Sequence, residues 1–118
     1  MQVTILQGKT GKAAFIASEG FLLASAENAL DLIGDIRYNH HCEAVLLHQK
    51  NIAPAFFDLK TGLAGEILQK FTNYRMRIGI IGNFSCVESK NLHDFIYECN
   101  QGSQIVFKST AEEILEVL

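Results

Sequence analysis

Short β-like runs alternate with longer amphipathic segments along most of the chain, and this alternation constrains the fold more than any other feature. The β-like runs are residues 3–6, 13–17, 43–48, 77–81 and 104–107. A helical pattern follows each of the last four runs, which gives the order ββαβαβαβα. Strands separated by helices pair in parallel, with right-handed crossovers. The sequence therefore predicts an α/β fold, a right-handed βα superhelix with a mixed five-stranded sheet and four helices.

The link between the first two runs, Gly8-Lys9-Thr10-Gly11, predicts an antiparallel hairpin at the N-terminus. Its two glycines supply the positive φ that a tight turn needs. Residues 8–12 (GKTGK) also resemble a nucleotide-binding loop, but they lack the G-x-x-x-x-G-K-[ST] spacing and precede a predicted strand. Because a phosphate-binding loop needs a following helix, the turn is the favoured interpretation.

Polar residues that can cap helices mark the four predicted helix starts. Ser25 is the expected cap of a first helix that runs to about Tyr38, and Asp58 is that of the second. Residues 85–88 (SCVE) and 109–112 (STAE) match the capping-box pattern, and the last helix is expected to run to residue 118. The second helix has apolar residues every three or four positions. We expect these residues to face the core: Leu59, Leu63, Ile67, Phe71 and Tyr74.

Two glycines, Gly62 and Gly65, lie near the start of the predicted second helix. Each costs about 1 kcal/mol in a helix relative to alanine. Their presence predicts that the sheet or a binding partner approaches the backbone closely there.

Composition indicates one soluble domain, spanning residues 1–118, with 48% hydrophobic and 19% charged residues. A net charge of −3 and scattered basic residues argue against phosphate-driven nucleic-acid binding. No apolar run approaches the ~18 residues of a membrane span, and no signal peptide is recognisable. The three cysteines form no C-x-x-C pair, which favours reduced thiols and a cytoplasmic location.

A sequential strand order would collect the helices mainly on one face of the sheet. We expect the other face, with residues such as Ala14, Ile16 and Val106, to be partly bare. An exposed apolar face of this kind commonly marks a homodimer or another partner interface.

Residues 60–63 (KTGL) place a hydroxyl directly before a Gly-Leu pair at the predicted start of the second helix. With the element order, this motif resembles the STAS domain of bacterial anti-sigma-factor antagonists, whose pattern is D-S-[ST]-G-L. The blocks FFDLKTGLAGEILQKF and DFIYECNQGSQIVF resemble an uncharacterised bacterial family of single-domain, STAS-like proteins. The STAS resemblance implies that the hydroxyl before Gly-Leu, here Thr61, is phosphorylated by a partner kinase. Lys60 and Leu59 stand where the pattern has serine and aspartate.

From this resemblance we expect a non-enzymatic, cytoplasmic regulatory module that contacts a protein partner. Its surface combines the loop before the second helix with the loop after the fourth strand: Asp58, Lys60, Thr61, Gly62, Asn83 and Ser85. A phosphate on Thr61 would bring about −1.5 to −2 charges to a helix N-terminus, which favours anions. A docked partner would meet this new charge, so the domain would change partners without refolding.

Two alternatives remain open at this surface. The helix start and the strand-end loops also suit an anion or a small molecule, with Lys60 assisting, which would make the domain a sensor. Ser85, Ser89 and Lys90, after the fourth strand, form a second set of candidate anion ligands. Thr61 also fits as an ordinary first-turn residue without a role in binding.

No residue pattern predicts an enzyme, a cofactor or a metal site. Adjacent His40 and His41 on an extended segment point to opposite faces, and no second ligand pair has zinc spacing. Cys86, expected at a helix N-terminus, is a better candidate for a reactive thiol than the inward-facing Cys99. Neither thiol is accompanied by an orienting carboxylate or an oxyanion motif.

Overall fold

Five strands form a single mixed sheet in the computed structural model, which describes residues 1–118. Their spatial order follows the chain: β1 Gln2–Gln7, β2 Lys12–Ala17, β3 Ala44–His48, β4 Arg77–Ile81 and β5 Ile105–Lys108. β1 is antiparallel to β2, and all later neighbours are parallel. The predicted α/β class, the opening hairpin and the mixed five-stranded sheet are confirmed.

Four α-helices follow the strands β2 to β5, as predicted: α1 Ala26–His40, α2 Leu63–Asn73, α3 Lys90–Cys99 and α4 Ala111–Leu115. Three short 3-10 turns, which the sequence pattern did not predict, fill the link between β3 and α2: Gln49–Asn51, Pro54–Phe57 and Leu59–Thr61. No helix is both long enough and apolar enough to cross a lipid bilayer.

The turn between β1 and β2 is tight, but only Gly11, and not Gly8, has the predicted positive φ. The turn also holds the C-terminal segment. Gly8 N donates to Gly11 O at 2.7 Å, which closes the turn. Thr10 donates to Leu118 O through its backbone N at 3.0 Å and through Oγ1 at 2.9 Å. The donors of this loop therefore bind a backbone carbonyl, which agrees with the turn interpretation of the letters GKTGK.

Helices α1, α2 and α3 cover one face of the sheet, whereas α4 covers part of the other. The three-helix face carries a cluster of 22 buried residues that includes Ala14 and Ile16. The α4 face carries a cluster of seven that includes Val106 and Ile114. The prediction that Ala14, Ile16 and Val106 lie on a partly bare face is wrong, because each of these residues is 0% exposed. Residues 109–118, which follow β5, fold back over this second face.

The ends of α1 and α4 differ from prediction by one to three residues. Ser25 caps α1 as expected, but the helix continues past Tyr38 to His40. Thr110, rather than Ser109, caps α4, and the helix ends at residue 115 rather than 118. Helix ends fray and compete with neighbouring turns, so periodicity alone does not define them.

Gly79 of β4 lies against α4 with no room for a side chain. A Cβ placed on Gly79 would lie 2.5 Å from Cγ2 of Ile114, far inside van der Waals contact. We expect Gly79→Ala to lower the free energy of unfolding by about 1–3 kcal/mol, because α4 must move away from the sheet. Urea unfolding followed by far-UV circular dichroism measures this change.

Gly34→Ala in α1 is the matched control for this substitution. A Cβ on Gly34 would meet no heavy atom within 4 Å. Because alanine is the better helix former, Gly34→Ala should raise the free energy of unfolding by up to about 1 kcal/mol. Equal effects of the two substitutions would contradict the close packing of α4 on β4.

Candidate functional site

A buried asparagine organises the loops at the carboxyl ends of β2 and β3. Asn51 is 0% exposed, and its Nδ2 donates to Ser18 O at 2.7 Å and to Gly20 O at 2.8 Å. Its backbone O accepts from Leu22 N at 2.7 Å. The Nδ2 group of this one side chain satisfies two carbonyls of another loop, whereas its Oδ1 is buried without a hydrogen-bond partner. The loops that follow the two strands therefore hold each other in place.

A 3-10 turn, rather than helix α2, carries the residues from Asp58 to Thr61. The prediction that Asp58 caps α2 is wrong, because its Oδ1 accepts from Lys60 N at 3.3 Å and so caps the turn. Gly62 occupies the N-cap position of α2 with φ +77°, a left-handed conformation that favours glycine. The link between the turn Leu59–Thr61 and the helix thus depends on the glycine of the Gly-Leu pair.

No part of this chain packs closely on the two glycines near the start of α2. A Cβ on Gly62 or on Gly65 would meet no heavy atom within 4 Å. The expectation that the sheet approaches the backbone there is therefore wrong. Close approach by a partner stays a prediction.

Thr61 is exposed, and its hydroxyl joins three backbone segments. Its Oγ1 lies 2.7 Å from Ala55 O and 2.9 Å from Asp58 O, and it accepts from Leu63 N at 3.2 Å. The single hydroxyl proton is thus directed at two carbonyls, while a lone pair satisfies the first amide of α2. Thr61 lies two residues before α2 rather than in its first turn. There it ties the helix start to the turn Pro54–Phe57.

The start of α2 has the free amide groups of any helix N-terminus. Glu66 N donates to Gly62 O at 3.1 Å, and the N–H groups that precede it in the first turn have no acceptor within the helix. Lys60, one turn earlier in the chain, is exposed. Unpaired amides, the positive end of the helix dipole and a nearby cation all favour negative charge at this position.

The loop after β4 places Asn83 and Ser85 in a turn of their own. Asn83 Oδ1 accepts from Ser85 N at 3.2 Å and from Ser85 Oγ at 2.6 Å. The prediction that Ser85 caps the third helix is wrong, because α3 begins at Lys90 and Ser89 accepts from Leu92 N. Both serines suit a helix cap, but Ser85 is bonded to Asn83 within the turn, and Ser89 caps the helix.

A row of phenylalanine rings connects the two loops with the core. The Phe57 and Phe84 centroids, one from each loop, lie 6.3 Å apart. The row continues from Phe57 to Phe56 at 4.9 Å, and from Phe84 to Phe107 at 5.3 Å and then Phe95 at 6.2 Å. No single stretch of the sequence predicts this row, because its members come from four segments of the chain.

The six residues predicted to form the functional surface are all exposed, and they belong to these two adjoining loops. No hydrogen bond joins the side chains of one loop to those of the other. The structure therefore brings the loops together through aromatic contact, with the polar residues at the surface: Asp58, Lys60, Thr61, Gly62, Asn83 and Ser85.

A cavity of about 440 Å³ opens beside the Pro54–Phe57 turn. Its lining combines apolar side chains with one amide and one cation: Phe21, Gln49, Lys50, Ile52, Pro54 and Phe57. Its volume lies within the roughly 300–1,000 Å³ that is typical of ligand pockets. None of the six predicted residues lines it. The cavity could have been predicted from the position of Gln49 and Lys50, which follow the parallel strand β3 at its carboxyl end, where such sheets bind ligands.

Burial raises the pKa of two of the three cysteine thiols. Burial raises the pKa of the Cys42 thiol, and burial together with the charge of Glu98 raises that of Cys99 to about 11. Cys86 is exposed, but its predicted position at a helix N-terminus is wrong, because α3 begins at residue 90. No group of three or more His, Cys, Asp and Glu side chains is placed to hold a metal ion.

A family model described as Domain of unknown function (DUF4180) matches residues 9–118. The matched region contains strands β2 to β5 and all four helices, and it begins after β1. No curated protein and no solved structure matches the chain.

The conformation of Gly62 generates a test of the Gly-Leu motif. We expect Gly62→Ala to lower the free energy of unfolding by about 1–2 kcal/mol, because a Cβ is strained at φ +77°. Gly65→Ala, three residues later in open space, should instead raise it by up to about 1 kcal/mol. Urea unfolding measures both values. A stabilising Gly62→Ala would show that this glycine is not required by the backbone.

Proposed function

This chain belongs to the DUF4180 family, and we propose that it acts as a non-enzymatic, cytoplasmic regulatory module that binds a protein partner. The binding surface consists of the six exposed residues of the two adjoining loops. The observation that carries the proposal is the exposed Thr61 hydroxyl, which is bonded to backbone groups on both sides. A chemical change at this one atom alters the surface without disturbing the buried core.

The arrangement of the elements supports a STAS-like interpretation of the domain. Five strands lie in sequential order, and three helices share one face of the sheet. The KTGL motif leads from the turn Leu59–Thr61 into α2, and Lys60, Thr61 and Gly62 are exposed. We therefore assign to Thr61 the place of the phosphorylated hydroxyl in anti-sigma-factor antagonists.

Phosphorylation of Thr61 would replace the hydroxyl proton and so remove the donor that faces Ala55 O and Asp58 O. The phosphate would bring about −1.5 to −2 charges beside these carbonyl oxygens. Repulsion would weaken the contact between Thr61 and the Ala55 carbonyl, while Lys60 and the N-terminus of α2 attract the phosphate. The modified surface would then differ in shape and in charge from the one that the partner binds.

Affinity capture from the source cells tests this proposal. Thr61→Glu introduces a charge, and we expect it to reduce partner recovery by about tenfold or more, equivalent to about 1.4 kcal/mol. Thr61→Val removes the hydroxyl without adding charge, and it should reduce recovery less. Thr72→Glu makes the same charge change at another exposed threonine of α2 and should leave recovery unchanged.

Several outcomes of the capture experiment would count against the proposal. Equal recovery with the wild type and Thr61→Glu would remove Thr61 from the mechanism. Equal losses with Thr61→Glu and Thr61→Val would assign the effect to lost hydrogen bonds rather than to charge. Recovery of no protein partner by the wild type would contradict the regulatory role itself.

The cavity beside the Pro54–Phe57 turn favours a second candidate function, the binding of a small anionic molecule. Phe21 and Phe57 provide apolar contact area, and Lys50 provides a positive charge. Because Phe57 also contacts Phe84, an occupant of the cavity would lie next to the loop of Asn83 and Ser85. This function corresponds to the sensor alternative, with the ligand one turn away from the helix start.

Thermal shift with a panel of aliphatic and aromatic carboxylates tests the sensor function. At a ligand concentration tenfold above Kd we expect Tm to rise by about 4–8 °C, which corresponds to roughly 1.4 kcal/mol. Lys50→Gln should abolish the rise, and Lys60→Gln should leave it intact. If Lys60→Gln alone abolishes the rise, the anion binds at the start of α2 instead. No rise with any carboxylate would contradict the sensor function.

A further inference from the structure

Strand β1 presents a set of unpaired backbone groups along the edge of the sheet. Its only strand neighbour is β2, and the register between them is regular over all six residue pairs. Gly8 N donates to Gly11 O across the turn. Backbone groups of an antiparallel strand alternate in direction, so the N–H and C=O groups of Gln2, Thr4 and Leu6 also point toward β2. The N–H and C=O groups of Val3, Ile5 and Gln7 therefore point away from the sheet.

The outer edge of β1 lacks the features that commonly protect an edge strand. Its sequence, QVTILQ, has no charged residue and no proline, and its pairing with β2 contains no bulge. Natural sheets block exposed edges with such features, because unpaired strands recruit other strands. Ile5 is 43% exposed at the middle of this strand. The opposite edge strand, β5, is shorter and carries Lys108.

We propose that β1 pairs with β1 of a second copy of this chain and joins the two sheets into one. A two-fold axis perpendicular to the sheet makes the two strands antiparallel and keeps helices α1 to α3 of both copies on one side. Ile5 lies opposite Ile5 of the second copy, and Val3 lies opposite Gln7. In this register all three outward-facing residues exchange both of their backbone hydrogen bonds.

The sequence of β1 favours a second copy over an unrelated strand. Ile5 pairs with Ala14 within the chain, so its side chain lies on the three-helix face, where it would meet the second Ile5. On the other face, Thr4 would lie opposite Leu6. In a symmetric pair, a charged residue near the axis would lie opposite a residue of the same charge, and β1 (QVTILQ) contains no charged residue. Self-pairing therefore buries an exposed isoleucine without creating a like-charge contact.

Sedimentation velocity of the purified chain tests the dimer. We expect the wild type to show a monomer–dimer equilibrium with a Kd of roughly 1–100 µM, at the weak end expected for a small interface. Ile5→Lys places two like charges opposite each other and should raise the dissociation constant by about tenfold or more. Leu30→Lys makes the same replacement at an exposed apolar residue of α1 and should leave the equilibrium unchanged.

Two further measurements test the register and the hydrogen bonds. An equimolar mixture of Ile5→Lys and Ile5→Glu should restore dimerisation, because opposite charges then meet at the axis. Gln7→Pro removes an outward-facing N–H, so it should weaken the dimer while the ladder to β2 persists. Far-UV circular dichroism confirms that each variant retains the fold.

Several results would overturn the proposed dimer without testing the proposed partner surface around Thr61. A wild type that stays monomeric at all concentrations up to about 1 mM would overturn it. So would a dimer that persists in both Ile5→Lys and Gln7→Pro, or one that only Leu30→Lys disrupts. Failure of the mixed charge variants to associate would overturn the register centred on Ile5.

Discussion

Parallel strands need apolar cover on both faces, and this requirement shapes the rest of the molecule. Helices α1 to α3 all lie on one face of strands β2 to β5, and the segment after β5 covers part of the other face. α4 takes that position and packs so closely on β4 that Gly79 has no space for a side chain. β1, antiparallel and at the edge, is left with one open side. The tight contact at α4 thus follows from how the helices are distributed, whereas the open edge at β1 follows from the sequential order of the strands.

Strand positions could be predicted from the sequence because short apolar runs between turn residues and helical patterns are a local property. Helix starts were less predictable, because Asp58 and Ser85 each carry a side chain that suits a cap but belong to turns that precede the helices. The path of the loop decides which of two neighbouring caps is used, and that path depends on contacts distant in sequence. The face covered by α4 likewise follows from packing, and nothing in the pattern of residues 109–118 specifies it.

The candidate site was predictable only where one short motif defines it. KTGL identified the exposed turn around Thr61, but the bond from its hydroxyl toward Ala55 depends on two successive 3-10 turns. The cavity and the phenylalanine row assemble side chains from separate loops, so no single stretch of sequence indicates them. The turn Pro54–Phe57 lies between these features, with Ala55 O facing Thr61 and Phe57 lining the cavity. A ligand in the cavity and a phosphate on Thr61 would therefore act on the same four residues.

The bond between Thr10 and Leu118 spans 108 positions of the sequence. Contacts of such long range close large loops, and they form slowly compared with local structure. During synthesis, the strands at the N-terminal end leave the ribosome well before residues 111–118 do. One apolar face of the nascent sheet therefore stays in contact with solvent until residues 111–118 are available to cover it.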